Sequence, residues 1–313
     1  WQKPGSNMTR LLITGVSGLL GINLALLAAQ RGYEVVGWSN SRELKNLPFD
    51  QESHDLGQLN SITAWVEQSR PDAIIHCAAI ANLDFAQQQP DLATRINAEA
   101  PGVFAETASK LDIPLIHIST DSIFDGQKGV YSEEDQPNPQ NIYAQSKLEG
   151  EQAVSLANPR AMIARVVFYG WSISGKRSLA EFFYNNLSQG RPVKGFTDAI
   201  FSPLYVKDLA DLLLESLQKE LTGIWHVFSQ NSISKYDFGV ALARQFGFDS
   251  SLIEPVSTSA GDLSTRRPLN LAISTEKLQK ALGHDLPEVH QGIEKLYQDY
   301  RFGLREQLAS YLA

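Results

Sequence analysis

The chain predicts an α/β fold with a doubly wound parallel sheet, and two observations carry that prediction. Apolar strand-like runs alternate with helix-like runs at the spacing of a parallel sheet. The first strand-to-helix turn, in LLITGVSGLLG, carries glycines at positions 15, 18 and 21. Strands are expected at 11–14, 34–37, 73–77, 115–119 and 161–168, with helices around 18–30, 60–69, 91–111 and 141–157. Ligands on such sheets sit beyond the carboxyl ends of the strands, which is where Gly15, Ala78, Thr120 and Phe168 fall. After Gly170 the alternation weakens, and SLAEFFYNNLSQG, DLADLLLESLQ and KYDFGVALARQFG read as helices.

The glycine turn points to a dinucleotide. Glycine permits a tight turn and lets backbone approach a pyrophosphate, while the N–H groups and dipole of the following helix face the phosphates. Gly15, Ser17, Gly18, Leu19, Leu20 and Gly21 are the expected contacts. The Gly-x-x-Gly-x-x-Gly spacing differs from the Gly-x-Gly-x-x-Gly fingerprint, and glycine turns also serve as plain punctuation. Cofactor choice is set after the second strand, in VVGWSNSRELK. No carboxylate stands there to hold the ribose of NAD. Ser39 and Asn40 are neutral and Arg42 follows, a set that accepts a 2′-phosphate. NADP(H) is therefore favoured, with NAD(H) kept as the alternative, and a solvated loop position accounts for Arg42 equally well.

Tyr143-Ala-Gln-Ser-Lys147 is the second motif. Residues four apart project from one helix face. A phenol titrates near pH 10, so bringing it down by about 3 units takes roughly 4 kcal/mol. One ammonium about 4 Å away supplies roughly that at an effective dielectric of about 20. An amphipathic helix with a packed Tyr and a solvated Lys is the plainer account of an isolated pair. Here the motif follows a nucleotide turn and an apolar strand ending in Ser119, Thr120 and Asp121, which favours catalysis.

Composition is compatible with this. The 313 residues are 43% hydrophobic and 20% charged, enough for one large or two moderate cores. A formal charge of -8 argues against nucleic acid or an anionic membrane as main partner. No apolar stretch is long enough to span a bilayer, so a cytoplasmic protein is expected. Residues 1–7 precede Met8 and read as an expression remnant. The single cysteine, Cys77, reads as a small core residue, and the six histidines show no pairing that suits a metal.

The chain resembles the extended short-chain dehydrogenase/reductase family, and within it the dTDP-4-dehydrorhamnose reductase-like, sugar-nucleotide-binding branch. LLITGVSGLLG, PDAIIHCAAIANLD, INAEAP, HISTDSIFDG, YAQSK, SPLYVKDLA and STRRPLNLAIST carry the likeness, of which STD-x-x-FDG and the late Arg-Arg-Pro are the more particular to the branch. The resemblance implies a Rossmann-like nucleotide domain over 8–170, to which 200–228 returns, and a smaller C-terminal α/β substrate domain over 171–199 and 229–305. It implies Thr120, Tyr143 and Lys147 as the catalytic group: Thr120 hydrogen-bonds the carbonyl oxygen, Tyr143 gives the proton, and Lys147 holds the ribose and lowers the Tyr143 pKa. Asp55 and Leu56 match the adenine-side pair, and Ala78, Ala79 and Ile80 the backbone beside the riboses, plain strand-end packing being the other account of these small residues. Asn97 matches a family asparagine near the cofactor, a structural place inside its helix being the plainer account. Tyr143, Lys147 and Phe168 complete the cofactor set.

For the substrate the resemblance implies a nucleotide sugar. Asp121 and Pro203 fall on family positions; Lys176 and Arg177, in the loop after the fifth strand, could meet a diphosphate, a solvated surface role being the plainer account of each, and Arg267 stands in the branch motif. Sugar-nucleotide 4,6-dehydratases follow the Thr with Asp and Glu. Here Ser122 replaces the Glu, which argues against elimination of water. An epimerase, or a regulatory protein like the methionine adenosyltransferase regulatory subunit, remains an alternative to the reductase. Phe168 stands where dehydrorhamnose reductases carry Trp, and TDAIFSPLYV keeps the Pro while losing Gln, Gly and Thr. Helices 91–111 and 141–157 would form the family's homodimer seam, with packing on the sheet the other account of their small and apolar faces.

Overall fold

A computed structural model of the chain describes residues 9–260 and 268–312. Its main sheet has seven strands: β1 (Arg10–Thr14), β2 (Glu34–Ser39), β3 (Asp50–Ser53), β4 (Ala73–His76), β5 (Leu115–Thr120), β6 (Met162–Val166) and β7 (Gly223–Val227). All pair in parallel, in the order β7-β6-β5-β4-β1-β2-β3. The chain moves outward from β1 through β2 and β3, then crosses to the other side of β1 with β4. The crevice at that reversal opens between the carboxyl ends of β1 and β4.

Helices cover both faces. They include α1 (Leu19–Gln30), α2 (Leu59–Ser69), α3 (Ala100–Leu111), α4 (Ile142–Ala157), α5 (Leu179–Leu187), α6 (Val206–Gln218), α7 (Lys235–Phe246) and α8 (Val289–Arg301). Alternation along β1 sends Leu11 and Ile13 into a core shared with α1 and α6, and Leu12 into a second core with Val36, Trp38 and Ile74 beneath α2, α3 and α4. Each such side chain, fully buried, contributes about 1.5–3 kcal/mol. Because α1 lies between the sheet and α6, it is buried on nearly every side.

The five expected strands and four expected helices are present, with informative differences. The run 161–168 is two strands, Met162–Val166 and Phe168–Tyr169, broken where the Leu204 N–H takes the Val167 carbonyl at 3.0 Å. The helix expected over 91–111 is Pro90–Thr94, a π-helical turn at Arg95–Glu99, and then α3. β3 and β7 were not expected. The first is the polar edge strand Asp-Gln-Glu-Ser, and the second adds the opposite edge beside β6.

Beyond β6 the chain builds three small sheets: Phe168–Tyr169 with Leu204–Tyr205, Val193–Phe196 with Ile253–Val256, and Ile200–Phe201 between Ile233–Ser234 and Asn270–Leu271. An aromatic cluster of Trp171, Tyr184, Phe246 and Tyr300 packs there, ring centroids 5.1–6.2 Å apart. Among the described residues no helix is long and apolar enough to cross a membrane.

Candidate active site

The glycine turn is shaped by what lies against it. Gly15 turns at φ +72°, and a Cβ there would stand 2.9 Å from the backbone Cα and N of Ala78. A Cβ on Gly21 would strike the Gly15 carbonyl, lying 2.6 Å from its carbon. The Gly18 N–H donates to the Gly15 carbonyl at 2.8 Å, and Gly18 caps α1 without a side-chain hydrogen bond. Ser17 is half-buried in the turn, and Leu19 and Leu20 bury their side chains beneath it. The first turn of α1 thus keeps its N–H groups clear of any capping side chain, at the positive end of the helix dipole. A pyrophosphate fits this cradle, and a side chain at Gly15 or Gly21 would fill it.

On the expected adenosine side, Ser39 is buried. Its hydroxyl donates to the Arg42 carbonyl at 2.8 Å and accepts from the Gln51 amide at 2.6 Å, so it sets the shape of the loop. Asn40 and Arg42 are the exposed members. Asp55 is exposed and accepts from the Gly57 N–H at 2.9 Å, while Leu56 is buried. Ala78, Ala79 and Ile80 follow β4, where the Ala78 N–H donates to Thr14 Oγ1 at 3.1 Å. Asn97 lies in the π-helical turn and is wholly buried. Its amide takes the Ile80 N–H at 2.8 Å and donates to the Ile80 carbonyl at 3.0 Å and to Ser146 Oγ at 3.0 Å. Asn97 therefore fastens the Ile80 segment to α4. Gly150 of α4 makes this approach possible, since any Cβ there would strike the Asn97 carbonyl.

Thr120 ends β5, and Asn141 caps α4 by accepting from the Ala144 N–H at 2.9 Å. Those two terminations place Thr120, Tyr143 and Lys147 together. Tyr143 hydrogen-bonds Thr120 and is half-buried. Burial pushes its phenol up to about 12, the Thr120 hydrogen bond acting downward and the Asp121 charge upward. The lowering expected from Lys147 is absent from this geometry, because the buried ammonium is turned away to the Ile118 carbonyl at 2.7 Å and His117 Nε2 at 3.4 Å. Burial brings Lys147 itself down to about 8, with Glu151 and Cys77 opposing. Asp121 is buried, and that raises its carboxyl to about 6 against the hydrogen bonds from Thr120 and Ser122.

Several members of this neighbourhood were not legible in advance. Glu151, one turn beyond Lys147, is buried in an ion pair with Arg165 of β6 at 2.8 Å and accepts from Ser119 Oγ at 2.6 Å. Tyr143, Lys147 and Glu151 occupy one face of α4 at four-residue spacing, which is the signal that was available. Among the described residues no group of His, Cys, Asp and Glu is arranged to hold a metal.

On the expected substrate side the structure is more selective. Asp121 lies beside Thr120 and is faced by the charge of Lys235. Phe168 is half-buried beyond β6, and Pro203 is buried just before Leu204. Lys176 and Arg177 are exposed on a loop held by the buried Glu181, which accepts from the Ser172, Arg177 and Ser178 N–H groups. That loop is also held by Asn185, whose amide donates to the Gly175 carbonyl at 2.7 Å. Arg267 lies outside the described residues. Its neighbours Pro268 and Leu269 pack on Gly126, at φ +74°, where a Cβ would stand 2.6 Å from the Leu269 nitrogen. The Asn270 N–H donates to the Gly126 carbonyl at 3.3 Å.

A parallel sheet in this order, a glycine turn at its switch point and a Thr-Tyr-Lys group opposite define an extended short-chain dehydrogenase/reductase. Within that class the chain belongs to the RmlD substrate binding domain family, whose model matches residues 8–302. It is 32% identical to the "Probable low-salt glycan biosynthesis reductase Agl14" of Haloferax volcanii, over 92% of this chain and 98% of that protein. To methionine adenosyltransferase 2 subunit beta of Xenopus tropicalis it is 30% identical, over 97% and 88%. The crystal structure of dTDP-4-dehydrorhamnose reductase from Bacillus anthracis in complex with NADP superposes with a TM-score of 0.84 at 26% identity, covering 94% of this chain and all of that one.

Proposed function

We propose that the protein is an NADP(H)-dependent reductase of a keto group on a nucleotide-activated sugar. The observation that carries this is the assembly of Thr120, Tyr143 and Lys147 at the carboxyl end of β5, across the sheet from a turn shaped for a dinucleotide. The turn at Gly15 to Gly21 would hold the pyrophosphate, Asn40 and Arg42 the ribose side, and the Asn97-braced segment Ala78 to Ile80 the nicotinamide side. When bound, the reduced nicotinamide supplies a hydride to the carbonyl carbon.

The residues of the chain handle the charge and the proton. As the carbonyl oxygen becomes negative, the Thr120 hydroxyl donates a hydrogen bond to it and the Tyr143 phenol delivers a proton. A phenol pushed up to about 12 is fully protonated at neutral pH and so is charged with the proton this step requires. Lys147, one helical turn beyond Tyr143 with its ammonium held by the Ile118 carbonyl and His117, would offer positive charge to the ribose side of the site. Ser122 holds no carboxylate to remove a proton from the sugar carbon, so reduction is favoured over elimination.

Turnover of a 4-keto nucleotide sugar with NADPH is the test. Tyr143→Phe removes the proton and little surface, so it should lower kcat by at least about 10²-fold with NADPH affinity nearly unchanged. A Phe variant turning over like the wild type refutes the assignment. The similarity to a methionine adenosyltransferase subunit supports a second reading, a cofactor-binding regulatory protein. Tight NADPH binding with no turnover of any keto sugar would favour it. Isomerisation without net NADPH consumption would favour an epimerase.

A further inference from the structure

Behind Lys147 lies a buried pair of imidazoles that the proposed reaction does not use. His117 of β5 and His76 of β4 are both fully buried, and their rings stack with centroids 5.5 Å apart at 21°. The Lys147 contact sets the tautomer of His117. Lys147 can only donate, so the His117 Nε2 at 3.4 Å from Nζ is the bare nitrogen and Nδ1 carries the hydrogen. Thr14 Oγ1 accepts from the Ala78 N–H and hydrogen-bonds His76 Nδ1 at 2.8 Å. The two remaining nitrogens, His117 Nδ1 and His76 Nε2, have no partner among the described residues.

A buried donor without a partner is a burden that packing alone would not impose, since an apolar side chain in the same place would avoid it. What an apolar side chain lacks is the bare nitrogen against Lys147. We propose that His117 is a positioning residue for Lys147, its Nε2 taking one ammonium hydrogen while the Ile118 carbonyl takes a second, so that the third is left for the reacting side of the site. The proposal rests on the reading of Lys147 as part of the reacting group. The ionisable groups that face the ammonium are Glu151 on its own helix, held in turn by Arg165, Cys77 and His76 at the end of β4, and His117 on β5. Of these only His117 is within 3.4 Å as a neutral acceptor.

A neutral acceptor stabilises the charged ammonium, so its removal lets Lys147 lose its proton at lower pH. Burial already places that loss at about 8. The experiment follows NADPH fluorescence on binding from pH 6.5 to 10 for the wild type, His117→Phe, His117→Gln and Lys147→Met. The wild type should lose affinity as pH rises through Lys147's titration. His117→Phe should move that limb down by about half to one pH unit, and His117→Gln, whose amide oxygen can accept, should return it most of the way. A Phe variant whose limb stays in place overturns the proposal. Lys147→Met is the separate control: if its affinity and pH profile match the wild type, the reading of Lys147 itself fails. Histidine nitrogen NMR of the wild-type protein decides without any variant, because a His117 signal of the Nε2–H tautomer also overturns the proposal, whereas Nδ1–H supports it.

Discussion

Acid should unfold this protein through histidines that it keeps neutral. Burial is the main cause holding His76 and His226 to about 3, with the nearby Lys147 and Arg165 charges acting the same way. In the unfolded chain an imidazole titrates near 6.5. The folded value is the lower one, so between the two the unfolded chain binds a proton that the native chain refuses. Stability is therefore lost as pH falls below about 6.5, at about 1.4 kcal/mol per pH unit for each imidazole. Two imidazoles over the 1.5 units from pH 6.5 to about 5 come to about 4 kcal/mol, and His117, lowered by burial, adds in the same direction. Asp121 works against them. Burial raises it to about 6, so the native chain takes up this proton first, and about 1 kcal/mol is regained by pH 5. The net loss, about 3 kcal/mol, is a large part of a typical folding stability of about 5–15 kcal/mol. Urea unfolding followed by circular dichroism at pH 7, 6.5, 6, 5.5 and 5 measures the slope, and His76→Gln should flatten it by one proton's worth. A urea midpoint that stays level from pH 6.5 to 5, or a slope untouched by His76→Gln, would refute the reasoning.

Gly21→Ala places a methyl group against the Gly15 carbonyl and should lower NADPH affinity at least about tenfold while costing about 1–3 kcal/mol of stability, as read by titration and by thermal unfolding. Wild-type affinity in that variant would mean the turn is not the pyrophosphate cradle. Arg42→Ala should weaken NADPH more than NADH, because only the former offers a 2′-phosphate to the exposed guanidinium. Equal weakening of both in parallel titrations would take Arg42 out of the site.

How far the chain could be read in advance depended on whether its pattern is local. β1, the glycine turn and α1 form one uninterrupted stretch, and Tyr143 and Lys147 share one helix face, so both were legible from spacing. β3 was not, because Asp-Gln-Glu-Ser at a sheet edge buries little and shows no apolar alternation. The π-helical turn at Arg95–Glu99 has no residue signature of its own, yet it is what brings Asn97 to Ile80. Ser39 reads as a ligand-facing polar residue at a strand end, and only the fold shows its hydroxyl closed onto Arg42 and Gln51. Arg165 and His117 sit inside runs of apolar strand residues. Their partners Glu151 and Lys147 become visible only when β5, β6 and α4 are laid side by side.

The contact between Gly126 and the backbone of Leu269 bears on how specificity could be re-engineered. The turn after Thr120 and the strand segment that follows residue 268 are separated by well over a hundred positions, yet neither has room to change shape alone. Grafting one of them from a relative would set a foreign backbone against a native one at a distance that tolerates no side chain. The transplantable module is thus both pieces moved together, 120–131 with 268–274, since Ile273 also bridges Tyr131. A chimera that exchanges the pair should fold where one that exchanges either half aggregates.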